Sequence, residues 1–226
     1  FNIAGAQGST ITVDGPVGFG ESNFVPARTP LPYTIRFENP ADAEGIVNTV
    51  RIMQELDDDF DPRSFRLGDI WIGDIQVHIP ANRGSFSGEF DFVDERGFVL
   101  RVTAGIEVYT NKLLWVLEAI DPDSGLPVTA EGVGLLHPNT DMTKHGLVSY
   151  TIKPKRDAGT GTQMGVSARL FLDGGSPIDS NGTTATLDAA APVTTLEVSG
   201  LGNGAYALSW TAADGPDGSG VAGYYV

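Results

Sequence analysis

The chain has 226 residues and carries 29 Asp and Glu against 14 Lys and Arg, a formal net charge of −15. A field of that sign repels nucleic acid and anionic membrane surfaces, which excludes both as general partners, and it attracts cations. With no cysteine there is neither a disulfide framework nor a thiolate metal site, and no apolar run reaches the roughly 18 residues of a membrane-spanning helix.

Residues 1–29 are glycine-rich, with little apolar density, and read as a lead-in segment. From residue 30 the dominant period is two. In YTIRFEN (33–39) Tyr33, Ile35 and Phe37 share one face, while Thr34, Arg36 and Glu38 share the other. GIVNTVRIMQEL (45–56) has some helical spacing, but Val47, Val50 and Ile52 with Thr49 favour a strand. IQVHI (75–79), SFSGEFDF (85–92) and FVLRV (98–102) alternate as well, and IEVYTNKLLWVLEAI (106–120) reads as a hairpin turning near Thr110 and Asn111. SYTIKPK (149–155) alternates once more. Between these runs lie ENPAD, DDDFDP, PANRG, DPDSG, HPNTD and DGGSP, all rich in turn residues. Short strands with frequent turns define an all-β antiparallel sandwich over residues 30–182. Residues 183–192 are small and rich in Thr and Ala, as a linker is. Beyond it Leu196 and Val198 alternate, then Tyr206, Leu208 and Trp210, then Tyr224 and Val226. Residues 193–226 therefore read as the N-terminal part of a second β-sandwich, incomplete because such a domain needs roughly 90–100 residues.

The acidic loops are the first candidates for chemistry. In ELDDDFDPRSF (55–65), Asp57, Asp59 and Asp61 fill positions 1, 3 and 5 of an EF-hand loop, but Pro62 replaces the glycine and Gly68 stands where the bidentate acid belongs. Two readings stay open: a calcium site of another kind, or a strand-ending turn whose carboxylates stay hydrated. LDGGSPIDSNG (172–182) offers Asp173, Asp179 and Asn181 to calcium, and DGPDGSG (214–220) offers Asp214 and Asp217 near the junction of the two units. His137, Asp141 and His145 share a segment but lack the ligand spacing of a zinc site. Neither G-x-S-x-G nor H-E-x-x-H occurs, and GTGTQMG (159–165) misses the dinucleotide fingerprint, so an enzyme is not expected. Trp71, Tyr109 and Trp115 are the candidates for an aromatic sugar-binding platform. The alternative for Trp115 is the core, and Trp71 points outward if Ile70 and Ile72 point inward. Asn181-Gly182-Thr183 is a glycosylation sequon, and Lys112 and Lys153 are the lysines placed for a Lys–Asn crosslink.

Several stretches together resemble one family: GPVGFGESNFVP (15–26), LPYTIRFENP (31–40), DDDFDPRSFRLGDIWIGD (57–74), LLWVLEAIDPDSGLP (113–127), GLVSYTIKPK (146–155) and SPIDSNGTTATLD (176–188). They resemble the Ig-like "conserved repeat" domain of large bacterial extracellular and surface proteins of the adhesin kind. The tail, with WTAADGPDGSGVAGYYV (210–226), resembles the opening of a fibronectin type III-like or Ig-like domain. The resemblance implies an Ig-like sandwich acting as a stalk, spacer or adhesive module. Its partners would be neighbouring domains of the same chain, other copies or surface glycans, and its location extracellular or at the cell surface. It implies no catalytic residues. The rival expectation is a carbohydrate-binding appendage of a secreted enzyme.

Overall fold

The computed structural model describes residues 10–140, 144–221 and 223. Along the chain come β1 (Ile11–Asp14), β2 (Phe24–Pro26), β3 (Leu31–Glu38), β4 (Thr49–Glu55), β5 (Phe60–Ile72), β6 (Ile75–Val77) and β7 (Ser85–Phe92). A single helical turn, α1 (Val93–Arg96), leads into β8 (Phe98–Glu107) and β9 (Lys112–Ile120). Then follow β10 (His145–Pro154), β11 (Gln163–Val166), β12 (Arg169–Leu172), β13 (Ile178–Asp179) and β14 (Thr183–Asp188), and last β15 (Val193–Gly202) and β16 (Ala205–Ala213). The chain is all-β, and its larger unit is an antiparallel β-sandwich.

Two antiparallel sheets form that sandwich. One runs β1-β3-β10-β5-β6 and the other β13-β12-β4-β9-β8-β7. Alternation in the sequence becomes alternation in burial: in β3, Leu31, Tyr33, Ile35 and Phe37 are buried while the residues between them are not. β10 repeats this with Val148, Tyr150 and Ile152, and β9 with Leu113, Trp115 and Leu117. The inward faces meet through aromatic rings. Trp115 of β9 lies 5.8 Å from the Tyr150 ring of β10 and 6.2 Å from that of Phe65 of β5, and Tyr150 stacks on Tyr33 at 5.3 Å. One polar bond crosses the core, from Gln54 Nε2 of β4 to the Tyr150 hydroxyl at 2.6 Å. The β8–β9 hairpin turns where the sequence expected, with Asn111 at φ 54°, a conformation asparagine tolerates.

Two segment boundaries differ from expectation. β1 and β2 lie inside the expected lead-in, and β14 lies inside the expected linker. β1 pairs with β3 in the register Ile11↔Phe37 and buries Ile11 and Val13, while β14 pairs antiparallel with β11 and parallel with β2, burying Ala185, Thr186 and Leu187. The reason is non-local: each is a short strand whose apolar residues find a partner far away in sequence. β11, β14 and β2 thus form a third, three-stranded sheet that shares the sandwich core, and the unit takes in residues 11–188.

β15 and β16 form a separate two-stranded ribbon in the register Leu196↔Trp210 and Val198↔Leu208. The strand expected around Tyr224 and Val226 lies outside the described residues.

Candidate functional site

The acidic residues proposed as one class of ligand are distributed over four places. At the β4–β5 connection, Asp57 Oδ1 accepts the Asp59 N–H (3.0 Å), an Asx-type turn, and Oδ2 accepts the Gly165 N–H (3.1 Å) within β11. Asp61 Oδ1 accepts the Arg63 N–H (3.1 Å), and the Asp59 carbonyl accepts the Lys155 N–H (2.7 Å). Asp173 Oδ1 accepts both the Asn48 and Thr49 N–H groups (2.8 and 2.7 Å), closing the entry to β4. Asp179 pairs with Arg169 directly opposite it across β12 and β13, with two bonds of 2.6 and 3.1 Å, and this guanidinium holds the Asp179 carboxyl below its ordinary value. Asn181 mimics a backbone partner for the edge strand β1: its oxygen accepts the Val13 N–H (2.8 Å) and its amide donates to the Val13 carbonyl (3.0 Å). These eight expected ligands, Asp214 and Asp217 included, do not come together. Among the described residues no group of three or more His, Asp or Glu side chains gathers to hold a metal ion. His137 and His145 are exposed, and Asp141 lies outside the described residues.

The expected aromatic platform is also divided. Trp115 is fully buried in the sandwich core, Tyr109 stands fully exposed in the β8–β9 turn, and Trp71 is 40% exposed on β5 between buried Ile70 and Ile72. A buried indole presents no face to a sugar, so Trp115 drops out of the candidate site. Lys112 and Lys153 are exposed, away from the dry surroundings a crosslinking lysine needs.

A feature absent from the sequence expectations links the two units. Asp188 ends β14, and its Oδ2 accepts both the Ser219 hydroxyl (2.5 Å) and the Ser219 N–H (3.1 Å). The Ser219 hydroxyl is the main influence holding the Asp188 carboxyl below its ordinary value; partial burial opposes it and the Ser219 amide adds to it. Ser219 sits in the loop after β16, and Asp214 organises that loop. Asp214 Oδ1 accepts the Gly215 N–H (2.9 Å) and Oδ2 the Gly220 N–H (2.7 Å). On the sandwich side, Thr160 Oγ1 accepts the N–H groups of Ala189 and Ala190 (2.9 and 3.0 Å), fixing the chain as it leaves β14. Asp217 packs beside Gly161. The DGPDGSG loop is thus a junction element, held by hydrogen bonds. The sequence placed it near the junction and proposed metal there, but gave no sign of Asp188, which sits in a stretch read as plain linker.

No family model matches the chain, and no curated protein matches it. Among solved structures, the collagen-binding domain from a Staphylococcus aureus adhesin is similar, with 9% identity over 79% of this chain and 96% of that one and a TM-score of 0.39. Domains D2 and D3 of the major pilin SpaD from Corynebacterium diphtheriae are similar at 14% identity, over 87% of this chain and 58% of that one, with a TM-score of 0.43. The C-terminal fragment of the major pilin GBS80 of Streptococcus agalactiae is similar at 13% identity, over 82% and 58%, with a TM-score of 0.44. The match thus spans less than two thirds of either pilin chain.

Proposed function

We propose that this chain is a non-catalytic structural and adhesive module of an extracellular or cell-surface protein, carrying β-units in series as a spacer. The observation that carries this reading is the bonded junction. The last strand of the larger unit, β14, ends on Asp188, and that carboxylate fastens the loop of the following unit through Ser219. A tether intended to be flexible would have no use for this bond, whereas a spacer gains stiffness from it. The candidate acids support the same reading: Asp57, Asp61, Asp173 and Asp214 accept backbone amides, and Asp179 accepts Arg169. The carbohydrate-binding appendage is less well supported, because its platform loses Trp115 to the core.

The test is rotational. In the native chain the ribbon β15–β16 should tumble with the sandwich in backbone relaxation measurements. Two hydrogen bonds to a partly exposed carboxylate are worth about 1–3 kcal/mol together. Asp188→Ala should therefore let the ribbon tumble faster while the sandwich keeps its spectrum. The pH dependence follows from the sign of the shift. A carboxyl whose pKa is depressed by the contact keeps that contact above its ordinary value, and the contact fades as pH falls through the lowered one. A ribbon that tumbles independently in the native chain at neutral pH would sink the proposal.

In this reading rigidity comes from hydrogen bonds, with no calcium shell required. Calcium at a hundredfold over its dissociation constant would add about 2.7 kcal/mol, or roughly 5–10 °C in Tm. Melting in millimolar calcium and in excess chelator should instead agree to within about 2 °C. A rise of the larger size would restore calcium to these loops.

A further inference from the structure

The chain has about two acids for every base, yet one groove reverses the ratio. Arg28, Arg63, Arg66, Lys153 and Arg156 line a groove of about 1180 Å³, and Asp61 is the acid among them. Five of the 14 Lys and Arg residues are thus gathered in one place. Topology does the gathering. β5 and β10 pair with Thr151 opposite Arg66 and Lys153 opposite Asp61, which sets Arg63 and Arg66 beside Lys153. Arg28 comes from the loop after β2, and Arg156 from the loop after β10.

Among the described residues these bases form no ion pair with a carboxylate. The five ion pairs among the described residues use Arg36, His78, Arg96, Arg101 and Arg169, all outside the groove. Arg66 Nη1 donates instead to the backbone carbonyls of Arg63 (2.9 Å) and Phe65 (2.6 Å), which fixes its guanidinium in place. Asp61 spends one oxygen on the Arg63 N–H. Clustered like charges repel, and here Asp61 alone among the lining residues stands against five bases, although acids abound elsewhere. The distant acids do not cancel the local field either, because salt screens charges beyond about 10 Å.

We propose that this groove binds a short stretch of an acidic polysaccharide, one that repeats carboxylate or sulfate groups. Arginine forks match both anions in bidentate geometry. Asn82 and Thr151, also at the groove, supply hydrogen-bonding groups for sugar hydroxyls, while the Ser64 hydroxyl is engaged by the Asp61 carbonyl and the Lys153 N–H. The lining also favours this occupant over other polyanions. No aromatic side chain lines the groove, so the bases of a single-stranded nucleic acid would find nothing to stack on. Its apolar members are small or buried, Ala, Pro and Leu67, so an acidic protein partner would find no pocket for an anchoring side chain. The ligand goes beyond the spacer role, which needs none, and a failure here would leave the junction test unaffected.

The experiment titrates the whole chain with a heparin-derived sulfated hexasaccharide, a hexagalacturonate, an oligothymidylate and hexaglutamate, by calorimetry at about 0.1 M salt, where the screening length is about 10 Å. One variant is Arg63→Gln/Lys153→Gln/Arg156→Gln. Its control, Arg96→Gln/Arg101→Gln/Arg169→Gln, changes net charge equally but outside the groove, at exposed pairs that contribute little to stability. At least one of the two glycans should bind, the tighter of them naming the anion. The groove variant should bind it at least about tenfold more weakly and the control within about twofold, since each charge-assisted contact is worth over a kcal/mol. The proposal is overturned if neither glycan binds, if both variants weaken binding equally, or if the oligothymidylate or hexaglutamate binds more tightly than both glycans.

Discussion

Replacing Trp115 by alanine should cost about 3–5 kcal/mol, the range for removing a large aromatic from a packed core. For a chain of this size that lowers Tm by about 6–20 °C. Trp115 is fully buried at the centre of β9, where its ring meets Phe65 and Tyr150 of the opposing sheet. Alanine would leave a cavity between sheets that strand pairing holds apart on both sides, so the site cannot collapse to fill it. Its indole Nε1 is buried without an acceptor among the described residues. Trp115→Phe discards that orphan donor along with part of the ring, and should cost well under half as much. Trp71→Ala is the matched control. It removes the same side chain from a position 40% exposed and should cost within about 1 kcal/mol. Chemical denaturation of the three variants checks the set, and equal losses at positions 71 and 115 would contradict the inward and outward assignment of the two tryptophans.

The outward side of Trp71 was legible in the sequence, and the reason is physical. A strand covered on one face writes its burial into alternate residues, so Ile70 and Ile72 define the side of Trp71; LLWVL (113–117) is apolar on both faces, so the sequence left Trp115 open between core and platform. The β8–β9 hairpin was legible for a similarly local reason: it closes on Thr110 and Asn111. What was not legible depends on distant partners. ITVD (11–14) is too short to announce a strand, and becomes one because β3 and the Asn181 side chain complete its hydrogen bonds. TTATLD (183–188) looks like a linker because its residues are small, but small residues also pack between β11 and β2. The acidic runs misled in a related way. Sequence brings Asp57, Asp59 and Asp61 close together but does not say where their oxygens point, and nearby amides claim those of Asp57 and Asp61. The basic groove reads as scattered charges until β5 is set beside β10.

Gly146→Ala should be a strongly damaging small substitution in the sandwich. Gly146 pairs with Phe37 on one side and Ile72 on the other, and a Cβ built there overlaps three atoms of the Phe37 ring. Phe37 is 1% exposed, so its ring has no free space to enter, and β10 is hydrogen-bonded to both neighbours and cannot move aside. Overpacking of this kind costs about 1–3 kcal/mol and occasionally more, and a rigid ring between two paired strands puts the cost at the upper end, near 3 kcal/mol. The clash can be located by a second change. Phe37→Leu alone opens a cavity and destabilises the native chain, but in the Gly146→Ala background it also relieves the overlap. The two changes together should then cost about 1 kcal/mol or more less than their sum, as contacting residues do. Strictly additive losses would mean that the methyl group is accommodated elsewhere and that Phe37 does not lie across Gly146.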